Sequence, residues 1–218
     1  MLLAPAALWR WVSFFMAKVY AFIDGFNFYH AVDYPYTYRK FKWMNLKKLV
    51  GCYVLGSDTL EGVEYFTTLA TWDAGKVARH RLFIRANEEQ GVVVTYGEFK
   101  RKERYCGLCN RKFWSREEKQ TDVNIALRLL ELAVQERYDK AIIVSGDTDL
   151  IPAIKAVHRT FPNKKIGVVI PIGRASEDFK NQADFHHKMK ERHLISSRFD
   201  DNHAMSDGSV ITCPATWH

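Results

Sequence analysis

Two features of this 218-residue chain predict an α/β fold: a Rossmann-like, three-layer arrangement with a mostly parallel sheet of about five strands. Short apolar runs alternate with segments of helical spacing, the pattern of strand–helix–strand units joined by right-handed crossovers. The first and fourth of those runs end beside an acid and a glycine, at Asp24-Gly25 and Gly146-Asp147. Ligands of open α/β sheets bind outside the carboxyl ends of the strands, so acids placed there point to a site.

The elements follow in order. Val19-Tyr-Ala-Phe-Ile-Asp24 is an apolar run ending in an acid, and after Gly25 the stretch Phe26 to Val32 can start a helix. Residues 34 to 43 are aromatic and basic and predict a loop, and Asn45 suits the N-cap of a helix over Leu46 to Tyr53. Gly62 to Ala70 is rich in β-branched and aromatic residues and predicts the second strand, with a helix from Ala74 to Gln90 behind it. Gly91 to Gly97 predicts the third strand. In Thr121 to Arg137, residues Val123, Ala126, Leu127, Leu130 and Val134 fall on one helical face. Ala141 to Ser145 predicts the fourth strand, Leu150 to Arg159 a helix that tolerates Pro152 in its first turn, and Lys165 to Pro171 the fifth strand. After Leu194 the sequence is polar and predicts a loose tail, until Asp207-Gly208 can turn a short hairpin toward Cys213-Pro-Ala-Thr-Trp217.

With 47% hydrophobic residues the chain can bury one such core. The organisation expected is an apolar extension over 1–17, one domain over 18–195 with an insertion at 99–118, and a tail over 196–218. The first fifteen residues lack a basic start and a small-residue cleavage site, so they read as an upstream extension or a peripheral apolar helix rather than a secretory signal. No stretch is long enough to span a bilayer, and no membrane partner is expected. Cys52, Cys106, Cys109 and Cys213 are too few and too unevenly spaced for a disulfide framework, which makes the cytoplasm the expected location. The formal charge of +7 favours a polyanionic partner without identifying it.

Asp24 and Asp147 end the first and fourth strands, which are commonly neighbours at the switch point of a parallel sheet, and Asp122 opens a helix that can lean over the same edge. Each acid alone has a plainer role. Asp122 suits a helix N-terminus, Asp149 can cap the helix from Leu150, and Asp24 can be a turn residue. Together they form a set of hard oxygen ligands that repel one another unless a cation sits among them, which favours Mg²⁺ or Mn²⁺. Asn27, one turn after Asp24, can reach the same cavity, and Ser145, Thr148 and Lys119 offer donors to a phosphate.

Phe22-Ile-Asp-Gly-Phe-Asn27, Glu118-Lys-Gln-Thr-Asp-Val-Asn-Ile-Ala126 and Val144-Ser-Gly-Asp-Thr-Asp-Leu150, in that order, resemble the signature blocks of NYN-domain, LabA-like proteins of the PIN-like nuclease superfamily. Ala183-Asp184-Phe185 is similar to a weaker, later block, and the resemblance covers about Lys18 to Leu194. It implies a PIN-like fold and Mg²⁺- or Mn²⁺-dependent cleavage of RNA. By position it implies Asp24, Asp122 and Asp147 as metal-binding acids, Asn27 as an accompanying ligand, Asp149 as an additional acid, and Asp184 as a structural acid near the same edge. One departure stands out. Many members carry a further acid about six residues into the helix of Asp122, where this chain has Arg128.

The insertion 99–118 predicts a loop and carries the densest positive charge, including Lys100, Arg101 and Lys102, interleaved with Tyr105, Phe113 and Trp114. Cations for phosphates and rings for unpaired bases suit RNA, single-stranded or structured, although an ordinary solvated loop has the same composition. Cys106-Gly-Leu-Cys109 is half of a tetrahedral zinc site. His186, His187, Cys213 or a second subunit in a homo-oligomer could complete it, and a metal-free loop is the other reading. The function expected is a metal-dependent ribonuclease. The alternative is a weak or inactive RNA-binding regulatory module on the same fold, motivated by Arg128. A haloacid-dehalogenase type of phosphohydrolase ranks last, because its DxD follows the first strand and not the fourth.

Overall fold

The computed structural model describes residues 16–34 and 36–218, so the expectation for the first fifteen residues lies outside the described part. Six strands form one sheet in the order β3, β2, β1, β6, β7, β8, with every adjacent pair parallel. They are β1 (Lys18–Asp24), β2 (Thr59–Thr67), β3 (Val92–Tyr96), β6 (Lys140–Val144), β7 (Lys165–Ile170) and β8 (Phe185–Lys188). The strand beyond the expected five is β8 at the sheet edge, where Phe185-His-His-Lys188 pairs with Gly167 to Ile170. No described helix is long and apolar enough to cross a membrane.

The period-2 alternation of β1 builds two cores. Val19, Ala21 and Ile23 face the layer of α1 (Gly25–Asp33), α2 (Leu46–Gly51) and α3 (Ala74–Glu89). Tyr20 and Phe22 face α4 (Thr121–Val134), α5 (Ile151–Thr160) and α6 (Glu177–Gln182). As expected, Asn45 caps α2, its Oδ1 accepting from the Lys48 N–H at 2.9 Å.

The buried stripe of α4 differs from the one the spacing suggests. Thr121, Ile125, Leu129, Leu132 and Ala133 face the sheet, whereas Val123, Leu127 and Val134 are exposed. The helix carries apolar residues on both faces, so periodicity alone cannot say which one the sheet covers.

The tail is packed rather than loose. After α7 (Glu191–Ser197), β9 (Asn202–Ala204) and β10 (Val210–Thr212) form the hairpin expected around Asp207-Gly208. Phe199, Met205, Ile211 and Trp217 join the first core, and Trp43 lies against both Phe199 and Trp217.

The insertion is regular too. β4 (Glu98–Tyr105) and β5 (Lys112–Lys119) make an antiparallel hairpin of eight pairs from Glu98 opposite Lys119 to Tyr105 opposite Lys112. Gly97 makes its root possible: a Cβ there would lie 2.7 Å from the Lys119 carbonyl oxygen and the Thr121 hydroxyl, and 2.8 Å from that of Thr68.

Candidate metal centre and nucleic-acid interface

Ile23 of β1 lies opposite Val144 of β6, so Asp24 and the Ser145–Asp147 turn leave the sheet at adjacent points on its carboxyl edge. Asp24 is only 3% exposed and caps α1, with Oδ1 accepting from the Asn27 N–H at 2.9 Å. Its Oδ2 accepts from the Ser145 hydroxyl at 2.8 Å. That hydroxyl accepts in turn from the Asp147 N–H at 3.0 Å, and Asn27 Oδ1 accepts from the Gly146 N–H at 3.1 Å. These bonds tie the start of α1 to the β6 turn and hold Asp24 and Asp147 on one rim.

Asp147, and not Asp149, takes the capping role on the β6 side. Its Oδ1 accepts from the Asp149 N–H at 3.0 Å and opens a 3₁₀ turn over Thr148–Leu150, while Asp149 and Thr148 are exposed on the rim. Asp122 enters from the first turn of α4. Burial, with the charges of Asp24, Asp147, Glu118 and Asp149 added, raises its carboxyl to about 7. Burial likewise raises Asp24 to about 6, against the hydrogen bonds from Asn27 and Ser145 and with help from the charges of Asp147 and Glu118. Acids from three segments therefore share one electrostatic field.

Two residues not singled out individually in the sequence belong to this neighbourhood. Glu118 Oε1 accepts from the Thr121 N–H at 3.2 Å and from the Thr121 hydroxyl, and its charge acts on both Asp24 and Asp122. Its membership of the Glu-Lys-Gln-Thr-Asp block was the available signal. Arg174, in the loop after β7, is exposed, and its Cβ stands 3.6 Å from where a Gly146 Cβ would be. No local pattern marks it.

The other expected residues separate clearly. Ser145 is fully buried with its hydroxyl committed on both sides, so it positions the acids and has no surface for a substrate. Asp184 lies at the opposite edge of the sheet: its Oδ2 accepts from the Ile166 N–H, near the start of β7, at 2.8 Å, and it pairs with His158 and Lys165. Arg128 reaches away from the acids to Glu64, a buried residue of β2, at 2.9 Å, and to Glu131 at 2.7 Å. It neutralises a carboxylate inside the sheet layer, which accounts for a cation where the resemblance leads one to expect an acid.

The hairpin sorts the basic run into two faces, because successive side chains of a strand point to opposite sides. Lys100, Lys102 and Lys119 share a face with Glu117, which lies within 3.5 Å of Lys102 and 3.1 Å of Lys119. Arg101, Arg116 and Trp114 share the face on which Glu118 leads down to the acids. There Arg101 stacks on Trp114 at 4.1 Å and Arg116 on Trp72 at 4.0 Å. Phe99 packs against Trp72 and against Phe26, two residues after Asp24, which docks the hairpin beside the site.

A six-stranded parallel sheet with acids gathered at its switch point has the architecture of PIN-like domains. The NYN domain family model matches residues 18–190, and the chain belongs to that family. Among solved structures, a protein of unknown function from Vibrio parahaemolyticus superposes with a TM-score of 0.56, covering 84% of this chain and 97% of that one at 17% identity, a likeness of fold. A segment of 58 residues is 43% identical to part of the 6-hydroxy-3-succinoylpyridine 3-monooxygenase HspA of Pseudomonas putida. That match spans 27% of this chain and 18% of the relative.

Proposed function

We propose that the chain is a divalent-metal-dependent ribonuclease that hydrolyses RNA phosphodiester bonds at the edge formed by Asp24, Asp122 and Asp147. The observation that carries this reading is the convergence of acids from β1, α4 and the β6 turn, whose mutual charge helps raise Asp122 to about 7. Carboxylate oxygens match Mg²⁺ or Mn²⁺. Among the described residues, no three of these acids bring ligand atoms within 4.8 Å of one another.

Asp24, Asp122 and Asp147 would hold the ion, which when bound supplies an activated water and offsets charge on the phosphoryl group. Asp149, exposed on the rim, is placed to accept a proton. Asn27 has its Oδ1 engaged by Gly146, which leaves its amide N–H groups to donate to a phosphate oxygen. Thr148 and Arg174 offer contacts to the RNA backbone around the rim, and Arg101, Arg116 and Trp114 extend the track along the hairpin for an unpaired strand, while Lys119 is engaged by Glu117 on the hairpin's other face.

The second reading, an RNA-binding regulatory module, rests on the absence of an acid at Arg128. One experiment separates the two. Wild type is expected to cleave single-stranded or structured RNA with Mn²⁺ and not with EDTA, and Asp147→Asn is expected to lose that activity while keeping its far-UV circular dichroism. Undiminished cleavage by the variant would remove the site assignment, and salt-sensitive binding without turnover by wild type would favour the regulatory module.

A further inference from the structure

The tip of the hairpin is built like a metal knuckle. Cys106 and Cys109 sit where the ladder ends, and the turn closes through two backbone bonds of 2.9 Å, from the Cys106 N–H to the Arg111 carbonyl and from the Asn110 N–H to the Cys106 carbonyl. Asn110, directly after the second cysteine, is in the left-handed region at φ 50°. This fold of the turn brings both cysteines to the far end of the arm, where Cys109 is exposed and Cys106 half-buried.

The chain supplies only half of a tetrahedral set. Eight-residue strands carry the tip about 25 Å from the hairpin root. Cys52 is held beside Ser196 and Ser197, Cys213 is buried next to Arg198, and neither belongs to the hairpin. Among the described residues, the only three-ligand group that could hold a metal is Asp201, Cys213 and His218, and Arg198 already pairs with its carboxylate. The residues outside the described part contain no Cys, His, Asp or Glu. A second copy of the chain carries the same pair at the same tip and can supply the other two ligands. Leu108, between the two cysteines, is fully exposed, an apolar contact offered at the same point.

We propose that two copies of this chain meet tip to tip and bind one Zn²⁺ through Cys106 and Cys109 of each, a four-thiolate site on a two-fold axis. Four thiols release their protons to solvent as the metal binds, and the centre of Zn²⁺ with four thiolates carries a charge of −2. Each hairpin over residues 98–119 carries eight Lys and Arg against four Glu, so two arms would repel, and the anionic centre offsets that repulsion. The product is a dimer whose basic arms are continuous.

Zinc content and oligomeric state test this without reference to RNA cleavage, so the outcome is independent of the proposed nuclease activity. The full chain, purified reduced with zinc present, is expected to run as a dimer holding one zinc per two chains. Cobalt in its place is expected to give the visible spectrum of a tetrahedral tetrathiolate. Cys109→Ser is expected to lose metal and run as a monomer with unchanged far-UV circular dichroism, whereas Cys52→Ser keeps both. A monomer with one zinc per chain, a chain that takes up no zinc, or a dimer that persists after the metal is stripped would each overturn the proposal.

Discussion

At the scale of single residues, the site is held together by side chains whose task is placement. Ser145 and Asn27 use their polar atoms to join the two strand ends, and the charge sits on Asp24, Asp122 and Asp147. Burying and crowding these carboxylates has a cost that pH can read. An Asp held at about 7 in the folded state and near 3.8 when unfolded binds its proton more tightly when folded. Its favourable contribution is thus complete below pH 4 and is lost as pH rises through 7. Asp122→Asn is accordingly expected to melt higher than wild type at pH 8 in EDTA, with the gap closing by about pH 4. Added Mn²⁺ is expected to raise the melting temperature of wild type more than that of the variant. Equal melting at pH 8 would argue that burial and the neighbouring charges do not burden Asp122.

At the scale of elements, α4 and β2 are joined by the ion pair of Arg128 and Glu64. Glu64 is 2% exposed and depends on Arg128 for its countercharge, with Thr95 as its other partner. Arg128→Met is expected to destabilise the fold by about 2 kcal/mol, less than for a fully buried pair because the arginine is partly solvated. Adding Glu64→Gln is expected to restore most of the loss in a denaturation double-mutant cycle, and additive effects would refute the pairing.

The elements also differ in how far they were legible. Strands β1, β6 and β7 announce themselves because burial on both faces demands mostly apolar runs such as Ala141 to Val144, and β2 through its β-branched and aromatic residues. The edge strand β8 has two histidines and a lysine in four residues, and β4 and β5 are solvated on both faces, so neither carries the pattern that burial imposes. Asp24, Asp122 and Asp147 were legible because strand and helix ends are marked locally. Arg174 was not, since it reaches the site through a loop whose path only the packed fold defines.

At the scale of the whole molecule, charge is arranged and not merely abundant. The net +7 includes an arm whose two faces should contribute differently to RNA binding. Lys100 and Lys102 lie on the face with Glu117, which already engages Lys102, whereas Arg101 and Arg116 stack on rings along the other face. The double variant Arg101→Ala/Arg116→Ala is expected to reduce the slope of log affinity for single-stranded RNA against log salt by roughly 1.4, from about 0.7 per neutralised phosphate. Lys100→Ala/Lys102→Ala is expected to change it less. Equal slopes for the two doubles would mean that the faces do not differ.

The hydrogen bond between Ser145 and Asp24 spans 121 residues of sequence. Strand β1 emerges early in synthesis, but the neighbour that completes the acidic edge follows only after the arm and α4 have been made. Parallel pairing over such a separation closes a long loop before any contact rewards it, so it forms late. A nascent chain on the ribosome, surrounded by RNA, therefore carries Asp24 without its companions until β6 has been made and docked. The order of the strands thus acts as a delay, leaving the acidic edge incomplete until β6 has docked beside β1.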